Sequence, residues 1–258
     1  MNEADSTSNI DDVGESESIN PKLFLTCSDE TVANITFPST TRDLSIVNKA
    51  NMLIIGAPGS GKGTISNWIV RDFGLIHVSS GDILRAHMRE GSELGLAAKS
   101  FIDKGDLVPD EVMVELISSE LKKLGNKSWL MDGYPRTVGQ AEALQKEISV
   151  DVVLNLCVPF ENIVDRVKDR RIHPASGRIY NLTFNPPEVE GKDDQTGDPL
   201  VQRDDDNPES VRNRLLIFQN YTEPVLAFYR KMGICQDFYG TESKDIYTHV
   251  DAYLKSIL

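Results

Sequence analysis

One lysine and the glycines around it carry the strongest chemical signal in the chain. Gly56-Ala57-Pro58-Gly59-Ser60-Gly61-Lys62-Gly63-Thr64 follows the apolar run Met52-Leu53-Ile54-Ile55 and leads into the apolar-periodic Ile65-Ser66-Asn67-Trp68-Ile69-Val70. Strand, glycine-rich loop and helix, in that order, make a phosphate cradle. Small residues let successive backbone N–H groups face phosphate oxygens, the helix N-terminus favours anions, and Lys62 adds a full positive charge. A glycine-rich surface turn would need neither flanking element. The run reads as a triphosphate-binding loop.

Two further groups of residues could act on a phosphate. Asp132 closes the apolar segment Ser128-Trp129-Leu130-Met131 and precedes Gly133-Tyr134-Pro135-Arg136. A carboxylate at the carboxyl end of a strand beside such a loop can hold Mg²⁺ through water, since Mg²⁺ keeps most of its waters and takes phosphate oxygens as further ligands. The blander alternative for Asp132 is an Asp that opens a turn before Gly. Arg85, Arg136, Arg166, Arg170, Arg203 and Arg214 form the second group, and Arg166 and Arg170, four apart, share a helix face. Any one of these arginines alone would read as a solvated surface residue; their joint placement after phosphate-binding elements argues for function. Phosphoryl transfer needs such a set, because its transition state spreads charge over three equatorial oxygens and leaves little covalent chemistry to the protein. Rigid guanidinium forks and Mg²⁺ neutralise that charge and hold donor and acceptor in line. No dedicated general base is evident, and none is needed when the acceptor is already a phosphate oxygen.

The elements that must position these groups alternate from Met52 onward. Strands are predicted at 52–55, 75–78, 128–132, 151–156 and 233–238. Helices are predicted at about 62–72, 81–102, 110–123, 137–147 and 160–170, then 208–231 with a break near Pro224, and 243–257. The alternation predicts an α/β fold, a P-loop NTPase-type parallel five-stranded sheet sandwiched by helices, with the ligand at the carboxyl ends of the strands. Residues 171–206 interrupt it with Pro186-Pro187, a Gly/Asp-rich run at 191–198 and Asp204-Asp205-Asp206. An insertion of that length reads as a small β module built on Arg178–Asn181 and Pro199–Gln202.

Composition narrows the class. A chain of 258 residues suits one large domain, or one domain with an insertion. The net charge of −13 argues against a nucleic-acid surface, and no apolar run is long enough to span a membrane. Cys27, Cys157 and Cys235 show neither metal-ligand nor disulfide spacing. The first 21 residues hold six acids and no Lys or Arg, so they read as a disordered acidic tail. Strand-like pieces at Leu23–Leu25 and Val32–Phe37 have no assigned place. With neither an Arg-rich presequence nor a secretory apolar segment at the start, the expected location is the cytoplasm, with the mitochondrial matrix as the alternative.

Residues 52–258 resemble the adenylate kinase family, in its long form with a full lid, over nearly its whole length. The matching segments are GAPGSGKGT at 56–64, SSGDILR at 79–85, KGDLVPD at 104–110, DGYPRT at 132–137, RRIHPASGRIYN at 170–181, FNPPEVEGKDD at 184–194, TGDPLVQRDDD at 196–206 and VRNRL at 211–215. Gly63 directly after the lysine, where P-loop GTPases carry Ser or Thr, points the same way. The lid and P-loop segments look most like the GTP:AMP phosphotransferase branch. The resemblance implies a nucleoside monophosphate kinase domain over 49–258 after an acidic extension at 1–48. An AMP-binding flap would lie at about 79–108 and a small β lid at about 169–206.

Two nucleotide sites follow from the resemblance. The donor triphosphate would bind Gly59, Ser60, Gly61, Lys62, Gly63, Thr64, Arg166 and Arg170, with Ile179, Tyr180 and Glu242 near its base. AMP would bind Ser80, Arg85, Asp106, Leu107, Val108, Gly133, Tyr134, Pro135, Arg136, Gln140, Arg203 and Arg214. The catalytic set would be Lys62, Asp132, Arg136, Arg170, Arg203 and Arg214, with Mg²⁺ held mainly through water and phosphates near Asp132 and Thr64. Ser80, Asp106 and Tyr134 depart from the family's usual residues, but Ser80 keeps a hydroxyl, Tyr134 keeps a ring, and Asp106 would act through its backbone. His173, Ser176, Asp193 and Thr196 occupy positions where some members carry four zinc-binding cysteines. Two hydroxyls are poor zinc ligands, so a hydrogen-bond network and no zinc site is expected there.

The resulting expectation is a monomeric, Mg²⁺-dependent enzyme that moves the γ-phosphoryl group of a nucleoside triphosphate to AMP, as in ATP + AMP = 2 ADP. Its partners would be nucleotides, with no nucleic acid and no membrane. The alternative within the family is a GTP:AMP phosphotransferase preferring GTP or ITP. The alternative of another class is a non-catalytic nucleotide sensor, whose expected mark, loss of the lysine or a clamping arginine, is absent.

Overall fold

The structure is a computed structural model that describes residues 49–102, 107–203 and 206–258. Its strands are β1 (Asn51–Gly56), β2 (Ile76–Ser79), β3 (Trp129–Asp132), β4 (Val152–Cys157), β5 (Arg170–Ile172), β6 (Ile179–Asn181) and β7 (Cys235–Tyr239). Its helices are α1 (Lys62–Phe73), α2 (Ser80–Glu90), α3 (Glu93–Ile102), α4 (Asp110–Leu124), α5 (Val138–Glu147), α6 (Phe160–Lys168), α7 (Pro208–Ile217), α8 (Glu223–Lys231) and α9 (Ser243–Ile257). Five strands form one sheet in the order β2–β3–β1–β4–β7, every pairing parallel, and β5 and β6 form a separate antiparallel pair.

β1 is central, and all six of its residues are buried. Met52 and Ile54 face a core shared with Ile65 and Ile69 of α1, Leu215 of α7 and Val250 and Leu254 of α9. Leu53 and Ile55 face the other core, with Leu116 and Ile117 of α4, Leu144 of α5 and Val225 and Tyr229 of α8. A strand covered on both faces must be apolar throughout, so Met52–Ile55 is a continuous run rather than an alternating one. Each such Leu or Ile contributes about 1.5–3 kcal/mol of transfer free energy. β1 pairs with β3 on one side and β4 on the other, so the chain lays down β2 and β3 on one side of β1 before crossing to build β4 and β7 on the other. This is the switch point at which an open parallel sheet forms a crevice.

Element boundaries differ from the predicted ones where a turn intervenes. The single helix expected over 81–102 is two, because Gly91 takes a left-handed conformation (φ 68°) and its N–H caps the carbonyls of His87 and Met88. The helix expected to run to 170 ends at Lys168, and Arg170 opens β5 instead. The break in 208–231 is a π-helical turn at Phe218–Thr222, just before Pro224 at the start of α8. Of the module's two predicted strand pieces, 178–181 forms β6, whereas 199–202 contributes only isolated bridges, Ile172 to Val201 and Lys192 to Pro199. The acidic extension, its strand-like pieces, Cys27 and Asp106 lie outside the described residues.

Candidate active site

The glycine-rich loop runs from the end of β1 into α1. Gly59 and Gly61 sit at φ 82° and 91°, which L side chains rarely adopt. A Cβ on Gly59 would come within 2.7 Å of Val167, and one on Gly61 within 2.4 Å of the Ser243 hydroxyl. Backbone angle requires both glycines, and at Gly59 the packing of Val167 and Ile163 requires it as well. Lys62, the first residue of α1, donates to the carbonyls of Gly56 (2.7 Å) and Ala57 (2.9 Å) and so curls over its own loop. Burial pushes its pKa down to about 8; Asp132 opposes that shift, and Arg136, Arg170 and Arg214 reinforce it. Those four partners come from distant parts of the chain, so their charges converge on one lysine.

A second framework holds the arginines. Arg170 forks onto both carboxylate oxygens of Asp206, its Nε at 2.8 Å, and Arg214 Nη2 donates to the same carboxylate at 3.2 Å. The Asp206 side chain is fully buried. A buried carboxylate between two guanidiniums fixes both while leaving the cluster cationic. Arg136 is fixed through its backbone N–H, donated to Gln140 Oε1 at 2.8 Å, and through its Nε, donated to the Gly133 carbonyl at 2.8 Å. Gln140 in turn donates to Asp110 at 2.7 Å.

One cavity of about 1150 Å³ joins these groups. Its wall includes Gly59, Gly61, Lys62, Gly63, Thr64, Arg166, Arg170, Ile179, Tyr180 and Glu242 from the donor set, together with Asp132. From the AMP set it includes Arg85, Leu107, Val108, Gly133, Tyr134, Pro135, Arg136, Gln140, Arg203 and Arg214. The volume exceeds the range of about 300–1,000 Å³ usual for one drug-sized ligand. Two predicted residues sit behind the wall. The Ser60 and Ser80 hydroxyls are buried, Ser60 beneath Gly56 and Ser80 beneath Gly133, each 2.7 Å from where a Cβ on that glycine would lie.

The family model for adenylate kinase matches residues 54–234. The chain is also similar to the GTP:AMP phosphotransferase, mitochondrial, of Drosophila melanogaster, 46% identical over 202 residues that cover 78% of this chain and 94% of that protein. This chain belongs to the adenylate kinase family. It is a nucleoside monophosphate kinase.

Several residues around the cavity escaped the motif reading. Asp206 was legible only as part of an aspartate run in a turn; its signal was the two arginines, Arg170 and Arg214, that need a common anion. Phe184 lies over Arg166, with the guanidinium 5.5 Å from the ring centre, and both line the cavity beside Glu242. Arg166 is itself buried, donates to the Thr241 carbonyl, and has its pKa lowered by burial against the opposing charge of Glu242. On α1 and α9, Trp68 and Tyr247 pack with ring centres 5.2 Å apart and extend the cavity wall.

In the β module, the four positions singled out by the zinc question lie in a hydrogen-bond network. His173 Nδ1 is 2.7 Å from Ser176 Oγ, and Thr196 Oγ1 donates to Asp193 at 3.0 Å. Asp193 also accepts from Arg178 Nε at 2.7 Å and the Tyr180 hydroxyl at 2.9 Å. The Arg178 guanidinium holds the Asp193 carboxyl well below the usual carboxylate range.

Proposed function

We propose that the enzyme transfers the γ-phosphoryl group of a nucleoside triphosphate to AMP, with the donor on the Gly59–Thr64 side of the cavity and AMP on the Arg85–Gln140 side. The observation that carries this reading is the continuity of the cavity. Lys62 and Arg85, Arg136, Arg166, Arg170, Arg203 and Arg214, brought together from separate parts of the chain, line one space. An AMP phosphate oxygen attacks the γ-phosphorus, the bond to the β,γ-bridging oxygen breaks, and a nucleoside diphosphate leaves with that oxygen. Lys62 can exchange its two loop carbonyls for phosphate oxygens at the cost of only local hydrogen bonds. Arg136, Arg170, Arg203 and Arg214 neutralise the equatorial charge as it develops, and Asp206 keeps two of them aimed without being consumed.

Mg²⁺ suits this donor set. Asp132 and Thr64 line the cavity, and no cluster of three acidic, His or Cys side chains exists among the described residues to cage an ion. One carboxylate, waters and triphosphate oxygens are the ligands Mg²⁺ prefers. Bound there with the triphosphate, it supplies charge neutralisation on the β and γ oxygens. In the β module, His173 and Asp193 are engaged by hydrogen bonds, and we read the site as holding no zinc. Residues 79–108 and 169–206 would act as flap and lid over the two nucleotides, with the chain working as a monomer.

For the donor base, the 46% identical relative favours GTP, and its name likewise favours the mitochondrion over the cytoplasm. The flat faces of Arg166 and Phe184, beside Glu242, suit either purine. A coupled assay with AMP fixed and ATP, GTP or ITP varied tests this reading. GTP should exceed ATP in kcat/KM by at least about tenfold, which needs only about 1.4 kcal/mol of differential transition-state binding. Faster turnover with ATP would return the assignment to a general adenylate kinase, and no transfer to AMP from any donor would overturn it.

A further inference from the structure

Arg136 is held at its backbone N–H and at its Nε by residues within four positions of it, Gln140 and Gly133. Its carbonyl is held from much further away: the Thr222 hydroxyl donates to it at 3.1 Å, across 86 residues of sequence. Thr222 ends the π-helical turn Phe218–Thr222, in which the N–H of Glu223 reaches back to the carbonyl of Phe218. A π turn adds one residue to the helix and so rotates everything beyond it by about 100° around the axis. A continuous α-helix from Pro208 to Lys231 would therefore present a different side chain to Arg136. Thr222 is buried and lines the cavity together with Phe218 and Ile217. The same helical rod carries Arg214, two turns upstream, on the Asp206 carboxylate.

We infer that Thr222 is a positioning residue for phosphoryl transfer: the π turn aims its hydroxyl at the Arg136 carbonyl, fixing the Arg136 guanidinium relative to Arg214 and the transferring group. The inference rests on the proposed role of Arg136 at the reacting phosphate. Removal of the hydroxyl should leave ground-state binding intact and loosen only what must be aligned in the transition state, so kcat should change and KM should not.

The test compares Thr222→Val, Thr222→Ala and Thr222→Ser in the full chain, alone and combined with Arg136→Ala, with steady-state kinetics and a melting curve for each. Val keeps the shape, Ala avoids any packing clash should Val fail to fold, and Ser keeps the donor. The expected result is a fall in kcat of about five- to twentyfold for Val and Ala, with KM for both nucleotides within about twofold and Ser within about twofold of wild type. In the Arg136→Ala background, Thr222→Val should cost little further, because the group it positions is gone. Wild-type kcat in Val and Ala, or a full additional loss in the Arg136→Ala background, would overturn the inference. Should Arg136→Ala itself leave kcat unchanged, the role assigned to Arg136 falls, and the inference falls with it.

Discussion

The Gly56–Thr64 cradle and the β module of 170–203 both present groups to the cavity, but opposite forces hold them in place. The cradle hangs from β1, whose six residues are all buried, and its shape comes from backbone angles and the close approach of Val167 and Ser243. The module has little apolar interior, since Leu182, Phe184, Val189 and Val201 are exposed. It is centred instead on His173, Tyr180 and Asp193, which are buried and tied to Arg178 and Thr196. Fixed geometry at the donor phosphates and a separately stabilised cover are what an enzyme needs if it must exclude water during transfer and then release two products. The comparison predicts that damage to the cradle removes chemistry and leaves the fold, whereas damage to the network removes the cover and leaves the core.

The largest effect expected is on the cradle. Lys62→Met should lower kcat by at least about a hundredfold, the scale of losing one preorganised charge in a phosphoryl-transfer site. Its melting temperature should stay within about 3 °C of wild type, because the side chain is bonded only to its own loop. Retention of more than about a tenth of wild-type kcat would show that the cradle does not work through this charge.

The network is next. Asp193→Ala leaves Arg178, the Tyr180 hydroxyl and Thr196 without their shared acceptor. Amide exchange over 173–201 should speed up by at least about tenfold while exchange in β1 and β4 is unchanged. A uniform loss across both regions would mean that the module and core fold as one unit, and the contrast would fail.

Much of the cradle could be read directly from sequence because its parts are contiguous. Gly59, Gly61 and Lys62 lie within one turn of chain, so their spacing carries the loop's geometry. Asp132, at the end of a four-residue strand, could be read for the same reason. Arg170 and Arg214 were recognisable as arginines, but the carboxylate that joins them was not, since Asp206 meets them only after β5 and α7 have packed. The π turn at Phe218–Thr222 also left no local signal. Pro224 marked a break, but the extra residue lies before it. Gly91 shows the reverse case: a glycine inside the helix predicted over 81–102 that in fact ends α2.

Acid and alkali should separate the two regions further, in opposite directions. Lys62 is charged below its pKa, so kcat/KM for the donor should be full below about 8 and fall as pH rises through that value, a limb that Lys62→Met would lack. Its lowered pKa also means that the folded chain binds fewer protons than the unfolded one between about 8 and lysine's ordinary value. Core stability should therefore gain slightly as pH rises across that window while activity falls. Asp193 works the other way. Its depressed pKa stabilises the module fully above the ordinary carboxylate value, about 3.9, and that contribution is lost only as pH falls below it. Amide exchange in the module rising below about pH 4, ahead of β1, is the expected pattern; simultaneous loss would contradict it.

The central claim is that one cavity seats two nucleotides with their phosphates meeting between Lys62 and the arginines. Titration calorimetry with two nucleosides joined through five phosphates tests it most directly. The account predicts one molecule bound per chain, at least about a hundredfold more tightly than either the triphosphate or AMP, because the second site is then filled at high effective concentration. Binding no tighter than the triphosphate alone, or AMP still binding to the saturated enzyme, would show that the two sites are not the two ends of this cavity.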